Sequence, residues 1–460
     1  MTSKIPGIRL AGLLILGLSA IVSLQSVMAK PSVSPQVLDN GPALPRVNLA
    51  ALRGNGKVAF AWQGKLFVAD GRTDALYRIS DSAHAALPAW SSDGRWVAYV
   101  RPSNLGYPLQ GEVWIARANG TGAHQLSGLP GPVSTFQWSP RGDVLAAIAE
   151  VSRRQTGIFI AGVTGPARKL AGNIAGISSM AWSRDGHSLA VDGIPAGSVN
   201  QSDRLLEVDA RSGAVRTRYI SLPSHDHSNS MIVAGWWPNS RGILFWRDPY
   251  ASASVAANGL PLFSIPIRGG KPRFLLNSLP YPDWLTAPGS GPRIGVIAGR
   301  WRPVYFGKYL AICVVSLPSC QRVVLNARLG PSDPSWSPDG KYVALALARD
   351  LPGNWSFSSV SAYAKWDQTR KLWIYNVRTR KAHMVVRAGS TISAPAWSRD
   401  SKELMFVRED GLWIMRARAG TPTRIVQLLP SGSPIPGETA SALSYYGHMD
   451  WKALFAWSGA

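Results

Sequence analysis

A short phrase recurs along this chain: a Trp, a small residue, a turn built from Asp, Gly or Ser, and then a strand that is apolar on both faces. It reads PSWSPDGKYVALAL from Pro334, PAWSSDGRWVAYV from Pro88, FQWSPRGDVLAAIA from Phe136, MAWSRDGHSLAV from Met180, GWWPNSRGILFW from Gly235 and PAWSRDSKELMFV from Pro395. Asp339-Gly340 predicts a two-residue hairpin turn, because Gly, Asn and Asp reach positive backbone angles at least cost. Tyr342 to Leu347 is rich in β-formers and has no polar face, as a strand enclosed between two sheets requires. The Trp ahead of the turn is large enough to bridge from its own sheet to the next.

Each hairpin is followed, at a variable distance, by a second apolar strand: EVWIARANG from Glu112, GIFIAGVTG from Gly157, RLLEVDARSG from Arg204, PLFSIPIRGG from Pro261, KLWIYNVRTR from Lys371 and GLWIMRARAG from Gly411. A short fourth strand such as AHQLSG or ARKLAG comes next. Four strands repeated every 44 to 61 residues predict the blades of a β-propeller. Trp90, Trp138, Trp182, Trp237, Trp336 and Trp397 mark the units, and Trp284 marks one more in the long gap before Trp336. Lys57 to Ser80 supplies only three strands, and the C-terminal YYGHMDWKALFAW offers the missing one, with Trp451 as its anchor. The expected fold is therefore all-β: a closed propeller of four-stranded blades, eight in number with seven as the alternative, its ring closed by the C-terminal strand so that no sheet edge stays open.

The W-S-x-D-G turns, followed by strands of the I-A-F and then the I-Y-V type, resemble the WD-repeat-like units of the TolB-like propeller family. The resemblance covers nearly all of the chain after residue 56. It implies a non-enzymatic docking platform in the cell envelope, and it gives Trp336, Asp339 and Gly340 a structural role in the hairpin. Residues 30–56, read as a linker, are far too few for the separate N-terminal domain of TolB proper, which sets participation in the Tol-Pal system aside.

Residues 1–29 read as a secretory signal: Lys4 and Arg9, an apolar run from Leu10 to Val22, and Val27-Met28-Ala29 before the cleavage point. The run is short for a membrane span, so membrane association is expected only if this leader stays uncleaved. Residues 57–460 form the propeller domain, a monomer in the periplasm or secreted. Cys313 and Cys320 flank VVSLPS, and a turn centred on Ser316-Leu317 places them opposite each other, so a disulfide is expected in an oxidising compartment. The formal net charge is +23; the leader carries Lys4 and Arg9 and no acid, which leaves +21 after its removal. Export argues against nucleic acid as the reason. An anionic partner and an acidic environment are the two remaining causes.

Motifs for chemistry are scarce. No Gly-x-Ser-x-Gly elbow occurs, so the hydrolase domain attached to propellers in some peptidases is not expected. His225 and His227 sit in the polar stretch SLPSHDHSNS, which reads as a solvated loop, and no metal or cofactor is expected. Tyr445, Tyr446, His448 and Asp450 read as packing at the closure. The long insertions, Arg101 to Gly111, Asp192 to Asp203, Arg247 to Gly259, Arg300 to Tyr309 and Ala348 to Arg370, all fall between second and third strands and so share one face. Trp301, Tyr305, Trp355, Tyr363 and Trp366 make that face the expected binding surface, for an envelope protein or an anionic polysaccharide. The alternative is a lyase or glycosidase, whose paired carboxylates would come from Asp192, Asp203, Asp248, Asp350 and Asp367.

Overall fold

Side-chain chemistry within the recurrent phrase dictates its turn. Ser337 Oγ donates to Asp339 Oδ1 at 2.7 Å and accepts from Tyr342 N at 2.9 Å, while Asp339 Oδ1 also accepts from Lys341 N at 3.1 Å. Gly340 N donates to Ser337 O at 2.9 Å, with φ +74° at Gly340. Ser91 with Asp93, Ser183 with Asp185 and Ser398 with Asp400 repeat the Ser to Asp bond. Because Ser337 N donates to Tyr342 O, the loop runs from Pro338 to Lys341, and the expected two-residue turn is corrected to a four-residue one.

The chain is described here from a computed structural model, which covers residues 44–459 except 81–83, 104–108, 153–154, 173, 197, 199–201, 222–229, 249–257, 318, 326–327, 353–359, 387–390, 410, 419, 429–443 and 446–447. The turns join antiparallel strands into four-stranded sheets. Leu329–Trp336, Tyr342–Arg349, Lys371–Asn376 and Lys381–Val386 form one such sheet, ordered as in the sequence. Its second strand is buried from Val343 to Ala348, whereas an outer strand such as Val215–Ile220 is largely exposed. Burial therefore falls from the inner strands outward, as expected when sheets pack face to face around an axis. Val58, Phe60, Phe67 and Ala69 of the first sheet pack against Met405, Val407, Leu412 and Ile414 of the last, and Ala59, Leu66 and Val68 pack against Val97, Tyr99 and Ala116 of the second.

The first sheet, Lys57–Trp62, Lys65–Asp70 and Ala75–Arg78, takes its fourth strand from Phe455–Trp457. The pairs are Val58 with Trp457, Ala59 with Ala456 and Phe60 with Phe455. Trp451 lies instead in a short 3-10 turn, Trp451–Ala453, so the Trp carried by this C-terminal strand is Trp457.

A ladder of indole bonds supports that correction. Trp138 Nε1 donates to Ala89 O at 3.0 Å, Trp182 Nε1 to Gln137 O at 3.1 Å and Trp397 Nε1 to Ser335 O at 2.9 Å. In each case the acceptor is the residue just before the corresponding Trp of the preceding sheet. Trp90 Nε1 follows the rule by donating to Ala456 O at 3.0 Å. Trp236 Nε1, and not that of Trp237, reaches Ala181 O at 2.9 Å, while Trp237 is buried and donates to Ser264 Oγ. A bulge between Val233 and Gly235 accompanies this one-residue offset. Trp284 is no anchor either: it ends the 3-10 turn Pro282–Trp284, and the adjoining inner strand is Leu285–Thr286. Trp138→Phe should keep the packing, remove one inter-sheet bond, and cost about 1 kcal/mol in urea unfolding. An unchanged midpoint would show that the ladder contributes nothing.

Candidate functional site in the central cavity

Three inner strands carry the same irregularity. Leu87, Asp333 and Ala394 each precede a Pro and have φ of 54°, 49° and 47°, inside register shifts spanning Ala86 to Ala89, Ser332 to Ser335 and Ser393 to Ala396. A non-Gly residue in this region costs roughly 1 kcal/mol, and a bulge re-aims its side chain. All three residues line a cavity of about 780 Å³ bordered by inner strands. Two of them are apolar. Only Asp333 brings a charge.

Around Asp333 the fold assembles residues far apart in sequence. Asp283 comes from the turn Pro282–Trp284, and His448 from the short strand His448–Met449 near the C-terminus. His448 Nε2 is 3.5 Å from Asp283 Oδ2, and His448 Nδ1 is 3.9 Å from Asp333 Oδ1; both separations are too long for good hydrogen bonds. The imidazole is buried, and Nδ1 has no hydrogen-bond partner. Tyr281 stacks on the ring at 4.2 Å between centroids, and Trp284 meets it edge-on at 5.7 Å. Burial pushes the Asp333 carboxyl upward against the pull of Arg370 and His448. Burial raises Asp450 as well, aided by the charge of Asp283. Arg370, the last residue of the longest insertion, is buried, donates to Ser393 Oγ at 3.0 Å and lies 3.3 Å from Asp367.

The residues expected to bind on the loop-rich face divide. Trp301 is 58% exposed. Tyr305 and Tyr363 are partly buried and pack around Trp366, with centroid distances of 5.5 and 5.6 Å. Trp366 itself is buried, and its Nε1 donates to Arg349 O at 2.7 Å; it is a packing residue, which corrects its reading as a surface anchor. Burial pushes the Tyr363 phenol up to about 12. Trp355, His225, His227 and Tyr446 lie outside the described residues.

Two buried groups organise the insertions. Lys308 Nζ donates to the carbonyls of Arg300, Trp301, Pro303 and Phe306 at 3.0, 2.8, 2.9 and 3.0 Å. Burial pushes this amine down to about 7, opposed by Asp350, but four carbonyls need an ammonium with three protons to share, so the coordination favours the charged form. Near the end of the strand Ser188–Pro195, Asp192 accepts from Ser178 N, Ser178 Oγ and Ser179 N. Asp203 accepts from Gly193 N, Arg204 N and Met231 N. Burial and then the charge of Asp192 push Asp203 up to about 8, and burial raises Asp192 too. The donors to Asp203 belong to three different strands and those to Asp192 to the Ser178-Ser179 segment, so the bonds tie these elements together and make the pair structural. Cys313 and Cys320 form the expected disulfide.

The cluster in the cavity was missed by reading the sequence alone. His448 and Asp450 stood out there only as closure packing, and Asp333 is hidden inside an ordinary copy of the repeat. A signal did exist: the position before Pro is Leu87, Ala394 and Asp333 in the three copies that share it, and only one of these is ionisable.

No family model and no curated protein sequence matches the chain. Among solved structures it is similar to dipeptidyl peptidase 4 of Porphyromonas gingivalis, with TM-score 0.53 and 13% identity over 83% of this chain and 60% of that one. It is also similar to the β-propeller domain of the Trilobed protease from Pyrococcus furiosus, with TM-score 0.42 and 14% identity over 76% of this chain and 100% of that one. The structure of putative TolB from Agrobacterium tumefaciens gives TM-score 0.35 and 12% identity over 82% and 99%. The first of these, with the four-stranded antiparallel sheets described above, shows a propeller-like fold; membership of the TolB-like family is not shown. A prolyl endopeptidase and an acylaminoacyl peptidase also appear, and the chain spans 50% of the length of each. The expectation of a non-enzymatic scaffold finds no support among these structures, which are mostly peptidases; at 13% identity the likeness itself shows the fold alone.

Proposed function

We propose that the chain is an eight-bladed propeller, closed by Phe455–Trp457, that hydrolyses peptides in its central cavity. Packing of the first sheet on both its neighbours supports the closed ring, and the indole ladder running through Ala456 supports the assignment of the closing strand. The observation that carries the enzymatic reading is the buried imidazole of His448, its Nδ1 without a hydrogen-bond partner, beside Asp283 and Asp333, which line the cavity. In this reading His448 takes a proton from a water molecule, and the oxygen of that water bonds to the peptide carbonyl. The C–N bond then breaks, and the same imidazole delivers the proton to the leaving amine. Asp283 and Asp333 orient the ring and stabilise its charged form, as a buried carboxylate does in a triad. Water as the nucleophile agrees with a sequence that has no nucleophile elbow. The peptide substrate is taken from the peptidases that share the fold. The disulfide supports an oxidising, extracytoplasmic location.

The test is to incubate the full-length protein with a defined peptide mixture and follow new termini by mass spectrometry. Cleavage should fall at least 100-fold in His448→Ala and persist in Trp138→Phe. No cleavage of any peptide, or cleavage that survives His448→Ala undiminished, overturns the reading.

A further inference from the structure

We propose that Asp283, Asp333 and His448 form a binding site for one divalent transition-metal cation of the zinc or manganese type. The ligand atoms of these three residues lie within 4.8 Å of one another. Ligands sitting about 2.1 Å from a shared centre stand roughly 3 to 4 Å apart, so the site needs only a slight contraction to close on an ion. Of the two observed separations, the 3.9 Å from His448 Nδ1 to Asp333 Oδ1 joins two candidate ligand atoms and falls within that span, while the 3.5 Å to Asp283 is measured from the other ring nitrogen.

The donor set, one imidazole and two carboxylates, suits zinc, manganese or ferrous iron better than calcium, which takes oxygen ligands alone. His448 Nδ1 provides a second and independent observation. It is buried without a partner, and an orphaned buried polar atom is destabilising unless something absent from the protein itself satisfies it. With the ring proton on Nε2, the lone pair of Nδ1 is free to coordinate. The supporting residues fit as well. Ser332 Oγ donates to Asp333 Oδ2 at 3.3 Å, and Tyr281 and Trp284 fix the plane of the ring; such contacts orient ligands in metal sites. The bulge adds a reason for Asp333 at a strained position where the other copies carry Leu87 and Ala394. Asp450 is a third carboxylate close by, faced by Lys452 as Asp333 is by Arg370. This inference deepens the hydrolytic reading and rests on the same cluster: a bound cation would activate the water in place of the imidazole.

The experiment is metal binding by isothermal titration calorimetry with zinc chloride and manganese chloride, using full-length protein stripped with chelator and containing no substrate. One equivalent of either metal should bind the parent protein, with a rise in melting temperature. Affinity should fall at least 10-fold in His448→Ala and in Asp333→Asn and stay unchanged in Asp209→Asn, with circular dichroism confirming that each variant is folded. Failure of both metals to bind the parent protein, or equal binding by both cluster variants, overturns the site. The readout contains no peptide, so it is separate from the test of hydrolysis: cleavage that continues in chelator with no metal bound would sink the metal site and leave the hydrolytic reading standing. Metal binding without cleavage would do the reverse.

Discussion

A chain that stops at Leu454 should lose on the order of 5 kcal/mol of stability, a large share of what a domain has to lose. Phe455 is buried among Phe60, Trp451 and Leu412. Trp457 packs on the same cluster and donates from Nε1 to Asn55 O at 2.7 Å. Truncating a buried aromatic costs about 3 to 5 kcal/mol, and removal of Ala456 also leaves the Trp90 indole without its acceptor. The strand Lys57–Trp62 would then present a bare edge open to pairing with other chains, so aggregation should accompany the loss. Thermal unfolding with light scattering checks both effects. Phe455→Ala and Trp457→Ala should each reproduce a smaller part of the loss without shortening the chain. A truncated protein that melts like the parent would mean that the terminal strand is dispensable.

Stability should also decline as pH rises from about 4 to about 8. The cause is the pair Asp192 and Asp203, both displaced upward, Asp203 to about 8. The folded value lies above the unfolded value of about 3.9, so the folded state binds more protons throughout that window. Its contribution is fully present below the unfolded value and is lost as pH passes through the folded one. A displacement of this size corresponds to a few kcal/mol, large enough to see by urea unfolding at fixed temperature. Asp203→Asn, which keeps one acceptor oxygen and carries no charge, should flatten the profile between pH 5 and 8. A parent profile that is already flat, or one that rises with pH, would show that the pair is ionised in the folded protein.

The repeat was legible because its chemistry is local. Ser337, Asp339 and Gly340 build their turn from bonds spanning five residues or fewer, so the same words signal the same hairpin wherever they occur. Anchors were misplaced where the local words are altered. Trp236 and Trp237 stand side by side, and only a bulge at Val233 to Gly235 decides which of them faces the neighbouring sheet. Trp451 and Trp457 compete for the closing strand, and the decision rests on pairing with residues almost four hundred positions away. Trp284 marked the degenerate unit, but as a core residue beside its inner strand.

The cavity cluster was illegible for a related reason. Asp283, Asp333 and His448 meet only because a 3-10 turn, an inner strand and a short C-terminal strand from distant parts of the chain come together. Aromatic composition pointed to the loop-rich face instead, yet aromatic residues cover loops as readily as they bind ligands. Trp366, with its indole bonded to Arg349, is the former kind.

Lys308 gives the insertion Arg300 to Tyr309 an unusual independence. Four carbonyls converging on one positive centre is the arrangement with which many loops capture an alkali ion from solution. Here the ion is attached to the chain by its own side chain. Dilution, dialysis and chelators have no hold on it, and its local concentration is set by the covalent tether. The loop is therefore ordered from the moment the chain folds, and the exposed Trp301, whose own carbonyl is one of the four, stands on a backbone already fixed before any ligand arrives. A chemical event that neutralises the amine, acetylation for instance, would release all four carbonyls together, so this turn has one point of failure and a covalent means of reaching it.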